Sequence, residues 1–267
     1  NIEGSKNSAF GYAALDADTY GNQSTAFGYA ALSAQNFASS TPSQNTAIGH
    51  NAGAGITTGT NNSLIGAHAG DALTDADNNV AVGYFALSDD TLGSRTTAIG
   101  KGALENQNFE SATNTHNTAV GYSAGNKITT GANNTLIGAL AGDVLTDADN
   151  NVAVGRTALS ADTQGSGSVA IGYDALVVQN LTSAAVSYNT AVGDVAGRAI
   201  TTGLNNTILG ALAGDALTDA DYNTAIGRSA LGADTLGSRS TAIGYTALST
   251  QNSTSATDAY NVAVGFQ

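Results

Sequence analysis

The sequence predicts an all-β fold, a parallel β-solenoid of about 15 coils, and three observations carry that expectation. A glycine recurs at Gly11, Gly28, Gly49, Gly66, Gly83, Gly100, Gly121, Gly138, Gly155, Gly172, Gly193, Gly210, Gly227, Gly244 and Gly265, at gaps of 17 or 21 residues. The residues around that glycine repeat position by position. Gly, Asn and Thr interrupt every candidate helix within about two turns, which removes the helical reading. A fixed period of this size marks stacked repeats, because one such unit is too small to bury its own apolar face.

The elements of a unit follow in order. Four residues before the glycine stands Asn in 11 of 15 units, and three before it Thr, Ser or Val. Two before it is Ala, except at Leu64, Leu136 and Ile208, and one before it Ile, Val, Leu or Phe. Asn45-Thr46-Ala47-Ile48 is such a run, and its β-branched residues at every second position predict a short strand. The glycine then permits a sharp bend or a close backbone approach. Three residues after it is Ala in every unit that reaches that far, from Ala14 to Ala247, followed by Leu or Gly alternating in pairs. This segment is expected to form a second short strand. The rest of each unit, TTGTNN or TDADNN for example, is turn-forming. Units group in fours, 17+17+17+21 residues, to give a 72-residue super-repeat. The whole of 1–267 reads as one repetitive domain. It begins at Asn1 without Met or a signal-like segment, as expected of a fragment of a longer fibre protein or a processed product.

Composition narrows the functional classes. The chain has 33 Gly, 1 Pro, no Cys, Met or Trp, and a formal charge of −13. Nucleic acid and anionic membrane surfaces are poor partners for it, since both demand clustered cations. No apolar run is long enough to span a bilayer. Without Cys there is no disulfide framework and no thiolate metal site. In Thr46-Ala47-Ile48 both faces carry small or apolar groups. One face can line the solenoid interior, and the other then needs a second buried surface. Another copy of the chain is the economical solution, and the expectation is a homotrimer.

The motifs SVAIGYDA at Ser168–Ala175, NTAVGYSA at Asn117–Ala124 and NVAVGRTA at Asn151–Ala158 resemble the head repeats of trimeric autotransporter adhesins. The longer NTAVGYSAGNKITTGANNTLIG is similar to repeats in bacteriophage tail-fibre proteins, which often precede a self-cleaving intramolecular chaperone. The resemblance covers essentially the whole chain and implies a left-handed trimeric β-roll. The 17- and 21-residue units are longer than adhesin head units.

Chemistry-bearing constellations are sparse. His50, His68 and His116 have no histidine at the equivalent positions of other repeats, and a metal or catalytic site needs several converging ligands. No serine sits in a nucleophile elbow, and no glycine run closes with GK[ST]. Asp residues are common but are expected in exposed turns. Asp75, Asp77 and Asn79 in LTDADNN alternate like Ca²⁺ ligands, against which stands a simple Asx-rich turn. Tyr12, Tyr29, Tyr84, Tyr122, Tyr173 and Tyr245 follow the landmark glycine, where stacking on sugars competes with a solvated outer ladder. The Thr pairs after Ile56, Ile128 and Ile200 recur only every fourth coil, too rarely for an ice-binding face. No catalytic residue, metal site or cofactor is expected.

Four units carry insertions: Ala34–Gln44, Glu105–His116, Val177–Tyr188 and Ser249–Tyr260. Insertions in a solenoid map to loops on one side, so these are expected to protrude, with a constant Gln-Asn pair beneath variable tips. Phe37, Phe109, Leu181, Tyr188 and Tyr260 are the candidate receptor contacts. The functional expectation is a non-enzymatic structural segment of a trimeric extracellular fibre, such as a phage tail fibre on the virion, which supports attachment to a host glycan or protein. A bacterial cell-surface adhesin is the alternative, and a fibre-borne polysaccharide depolymerase a third reading.

Overall fold

The computed structural model describes residues 3–267. It is a parallel β-solenoid of about 15 turns, with no helix among the described residues. The chain forms two compact units, Asn1–Asn133 and Asn134–Gln267.

In the first unit the strands Ser8–Phe10, Thr25–Phe27, Thr46–Ile48, Ser63–Ile65, Val80–Val82, Thr97–Ile99 and Thr118–Val120 pair in chain order, all parallel. In the second, Thr135–Ile137, Val152–Val154, Val169–Ile171, Thr190–Val192, Thr207–Leu209, Thr224–Ile226, Thr241–Ile243 and Val262–Val264 do the same. Register follows the repeat: Thr46 lies opposite Ser63, Ala47 opposite Leu64 and Ile48 opposite Ile65.

The middle residue of each strand points inward, and Ala47, Ala81, Ala98 and Ala119 are fully buried. The Ala column after the glycine, Ala52, Ala69, Ala86 and onward, closes the other side of a thin core. Beneath the strands runs a ladder of buried asparagines. Asn62 Nδ2 donates to the Ala76 carbonyl at 2.7 Å, and its Oδ1 accepts the Asn79 backbone N–H at 2.9 Å. Asn79 repeats both bonds toward Gly93 and Thr96, and Asn206 and Asn223 do so in the second unit. One side chain thus serves two backbone groups that burial would otherwise strand, which explains why amide side chains occupy an apolar interior.

The landmark glycine has a double reason. At Gly66 φ is +136°, a region that side chains disfavour. A Cβ there would also lie 2.4 Å from the Gly83 carbonyl oxygen of the next coil.

Two expectations are corrected. The segment after the glycine is a turn, since its second and fourth residues are left-handed: Ala30 (φ 53°) with Leu32 (φ 50°), and Phe85 (φ 55°) with Leu87 (φ 55°). Such residues are not extended, although their N–H groups still bond from coil to coil, Leu32 to the Ala52 carbonyl at 3.1 Å and Leu87 to that of Ala103 at 3.0 Å. The insertions, in turn, lie partly against the preceding coil. Thr41–Pro42 pairs with Gly21–Asn22, Thr113–Asn114 with Gly93–Ser94, and Thr257–Asp258 with Gly237–Ser238, with a single bridge from Ser166 to Val186.

Candidate functional site

The strand geometry that buries Ala47 turns its neighbours outward. In each unit the residue before the glycine forms an unbroken file. Ile48, Ile65, Val82, Ile99 and Val120 belong to the first, and Ile137, Val154, Ile171, Val192, Leu209, Ile226, Ile243 and Val264 to the second. Ile48, Ile65, Ile99, Ile137, Ile171 and Leu209 are each 36–47% exposed, an uncommon state for aliphatic side chains in regular structure. Beside them runs a second file of Thr, Ser and Val, from Thr46, Ser63, Val80, Thr97 and Thr118 in the first unit to Thr241 in the second. Neither file contains a charged residue. Each unit therefore presents a charge-free, β-branched sheet face to solvent.

Across the glycine bend the next file is stacked. One residue after the glycine, Tyr12, Tyr29 and His50 stack with ring centroids 5.3 and 5.1 Å apart. Ala67 breaks that file, and the run passes through a tilted His50–His68 contact at 5.2 Å to His68 and Phe85, two residues after their glycines and 4.9 Å apart. The positions where a cation replaces an aromatic keep the stacking: Lys101 lies over Tyr122, Arg156 over Tyr173 and Arg228 over Tyr245, each at 5.7–5.8 Å. Cation–π attraction explains why this file accepts Lys and Arg beside Tyr. Within the Tyr12–Tyr29–His50 stack the rings are nearly parallel, so their faces are spent on one another and a sugar would meet edges. That weakens the sugar-stacking reading of these tyrosines.

The structure separates the five candidate receptor contacts. Phe37, Phe109 and Leu181 are buried, at 5, 7 and 6% exposure, because the start of the insertion lies against the preceding coil, where Phe109 and Leu181 donate their N–H groups to Asp90 and Asp162. Tyr188 and Tyr260 are exposed, at 64 and 66%. The Tyr260 hydroxyl donates to Asp258 at 3.1 Å, and Asp258 also accepts Arg239 Nε at 3.0 Å. The side chains open to a partner are thus the two tyrosines.

The LTDADNN turns do not gather ligands. Asn79 points inward into the amide ladder, while Asp75 accepts the Thr58 hydroxyl at 2.6 Å and Asp77 the Thr60 hydroxyl at 2.8 Å. No group of three or more His, Asp and Glu side chains suited to a metal occurs among the described residues. His68 Nδ1 pairs with Asp71 at 2.7 Å. In the second unit the residues equivalent to His68 are Leu140 and Leu212, and Asp143 and Asp215 stand where Asp71 does. Burial pushes both of these carboxyls above the usual range.

The sequence reading missed the most ordered polar group. Asp18, Asp90, Asp162 and Asp234 are buried, each seven residues after a landmark glycine, and so are not the exposed turn carboxylates expected. Asp90 Oδ1 accepts the Gly93 and Phe109 backbone N–H groups at 3.0 and 3.2 Å, and its Oδ2 accepts Gln107 Nε2 at 2.5 Å. Burial raises the Asp90 pKa, and these hydrogen bonds oppose the rise. The signal was present as a cycle at that position: Asp90, Gln107, Ile128, Leu145 and again Asp162. No protein-family model, curated protein or solved structure matches the chain.

Proposed function

We propose that the chain is a structural segment of an extracellular fibre, in which three copies pack their outward sheet faces together. The observation that carries this reading is the charge-free file of half-exposed Ile, Val and Leu on that face. Burying such a file recovers about 25 cal/mol per Å² of apolar surface, and a contiguous apolar face is what interaction surfaces display. Ala and Gly leave each unit a thin core, so association supplies burial that a single chain lacks. The resemblance of the longer NTAVGYSAGNKITTGANNTLIG to tail-fibre repeats supports a fibre carried on a bacteriophage virion. There the segment holds a receptor-binding surface at a fixed distance and carries no catalysis of its own. Three parallel left-handed rolls are the arrangement that the resemblance implies.

Light scattering tests the reading directly. The expected mass is about three times the chain mass of 26.4 kDa. Ile65→Lys combined with Ile99→Lys should reduce it toward one chain, since two ammonium groups would have to enter the interface. A stable wild-type monomer that unfolds cooperatively would overturn the proposal.

A further inference from the structure

Every coil shows the same outer ladder, but the interiors differ at three buried positions. In the first unit the coil of Gly49 has Ala47, Gly53 and Ile56, and that of Gly66 has Leu64, Gly70 and Leu73. The coil of Gly83 has Ala81, Leu87 and Asp90, and that of Gly100 has Ala98, Leu104 and Gln107. The differences interlock by volume. A Cβ on Gly53 would stand 2.7 Å from Leu64 Cδ1 and 3.2 Å from Ile56 Cδ1. One on Gly70 would stand 2.8 Å from Leu73 Cδ1. Glycine is therefore required where Ile56 and Leu73 fill the corner. Where Leu87 and Leu104 fill it, the other position carries Asp or Gln.

Those polar side chains find partners only in particular coils. Gln107 donates to Asp90 in the preceding coil and to the Thr96 hydroxyl at 3.1 Å, and its Oε1 accepts Asn117 Nδ2 at 2.8 Å from the following coil. Thr96 and Thr115 share a hydroxyl contact of 2.6 Å, the second hydroxyl coming from the insertion. In the second unit Asp162, Gln179, Ser168, Ser187 and Asn189 build the same network. Asp234, Gln251, Ser240 and Asn261 repeat its core.

We propose that these networks are the register key of the solenoid, selecting which coil stacks on which. The outer ladder cannot do so: Val82 pairs with Ile65 on one side and Ile99 on the other, and Ile65 against Ile99 would fit as well. Omitting the coil of Gly83 would set Gln107 against Leu73. Omitting the coil of Gly100 would set Asp90 against Ile128, a buried carboxylate that has lost its amide donor. Omitting either coil of an Asp–Gln pair breaks the network, and the pair itself recurs only every four coils, 72 residues along the sequence. Buried polar groups that fix register are the best-attested use of such groups. The insertion thereby gains a role inside the fold, because it brings Thr115 to the key.

The absence of cysteine makes this testable by engineered pairs. Ser63 and Val80 are direct partners, so Ser63→Cys with Val80→Cys reports the native register. Ser63 and Thr97 lie two strand spacings apart, about 9.6 Å, beyond the roughly 7 Å that a disulfide can bridge. Ser63→Cys with Thr97→Cys therefore closes only when a coil is skipped. Both pairs are refolded from denaturant under oxidising conditions, with and without Asp90→Asn, and intramolecular crosslinks are counted by mass spectrometry. Asp90→Asn keeps the carbonyl for Gly93 and Phe109 but turns an amide donor toward Gln107. The 63–97 crosslink is expected to rise at least tenfold, and a yield at the parent level overturns the proposal. If Asp90→Asn closes neither pair, Ala81→Leu/Leu87→Gly/Asp90→Leu/Leu104→Gly/Gln107→Ile decides, since it copies the apolar packing of Leu64 and Gly70 with Leu73 and of Ala47 and Gly53 with Ile56. A tenfold rise there supports the key, and a parent-level or absent 63–97 crosslink removes it.

Discussion

Two adjacent asparagines give the sharpest test of the interior ladder. Asn62 is fully buried, and Asn61 beside it is exposed. Asn62→Ala deletes the donor to the Ala76 carbonyl and the acceptor for the Asn79 N–H. Two backbone groups are then left unsatisfied in a dry interior, each at a cost of about 1–3 kcal/mol. The expected loss is about 3 kcal/mol or more, which at an m value near 3 kcal/mol per M lowers a urea midpoint by about 1 M. Asn61→Gly is the control. Its amide reaches only the Thr60 hydroxyl at 3.0 Å, and its φ of 59° suits glycine. Its change should stay within about 0.5 kcal/mol. Circular dichroism at one fixed protein concentration measures both variants. If Asn62→Ala unfolds within about 1 kcal/mol of wild type, the ladder carries no net stability and the reasoning fails.

Three further outcomes follow from the same geometry. Gly66→Ala combines a disfavoured φ with a 2.4 Å backbone contact, and should cost several kcal/mol or block folding, read as loss of soluble, protected protein in hydrogen exchange. Ala124→Arg puts an unpaired charge into a fully buried column and should destabilise by roughly 3–5 kcal/mol in the same urea experiment. Asp143 supplies a pH test: its carboxyl is raised by burial, so its contribution is fully present below the ordinary value of about 3.9 and is lost as pH rises through the raised one. Leu140→His should copy the His68–Asp71 pair and, while the imidazole is charged, remove most of that loss, worth about 1 kcal/mol or less at this partly exposed site. A Leu140→His melting temperature that falls with rising pH across the acidic range as steeply as that of the wild type would contradict it.

Period, strand triplets and glycine bend are legible in the residues alone, because stacking gives every unit the same neighbours and so imposes the same residue at the same place. Asn, Ala and Gly columns are legible for that reason. The alternation in Thr46-Ala47-Ile48 also announced two faces, but period two does not say which of them is inside. The stacking of the coils puts Ala47 inside and Ile48 outside. The segment after the glycine turns, because Leu32 and Leu87 take left-handed φ values that no residue preference reveals for leucine. The insertions read as protruding because their length departs from the repeat. Yet Phe37, Phe109 and Leu181 are drawn in, and the buried Asp90 is tolerable only because Gln107, Gly93 and Phe109 meet it from elsewhere in the chain. A carboxylate's place depends on donors that fold up around it, and their positions are not written at the carboxylate itself.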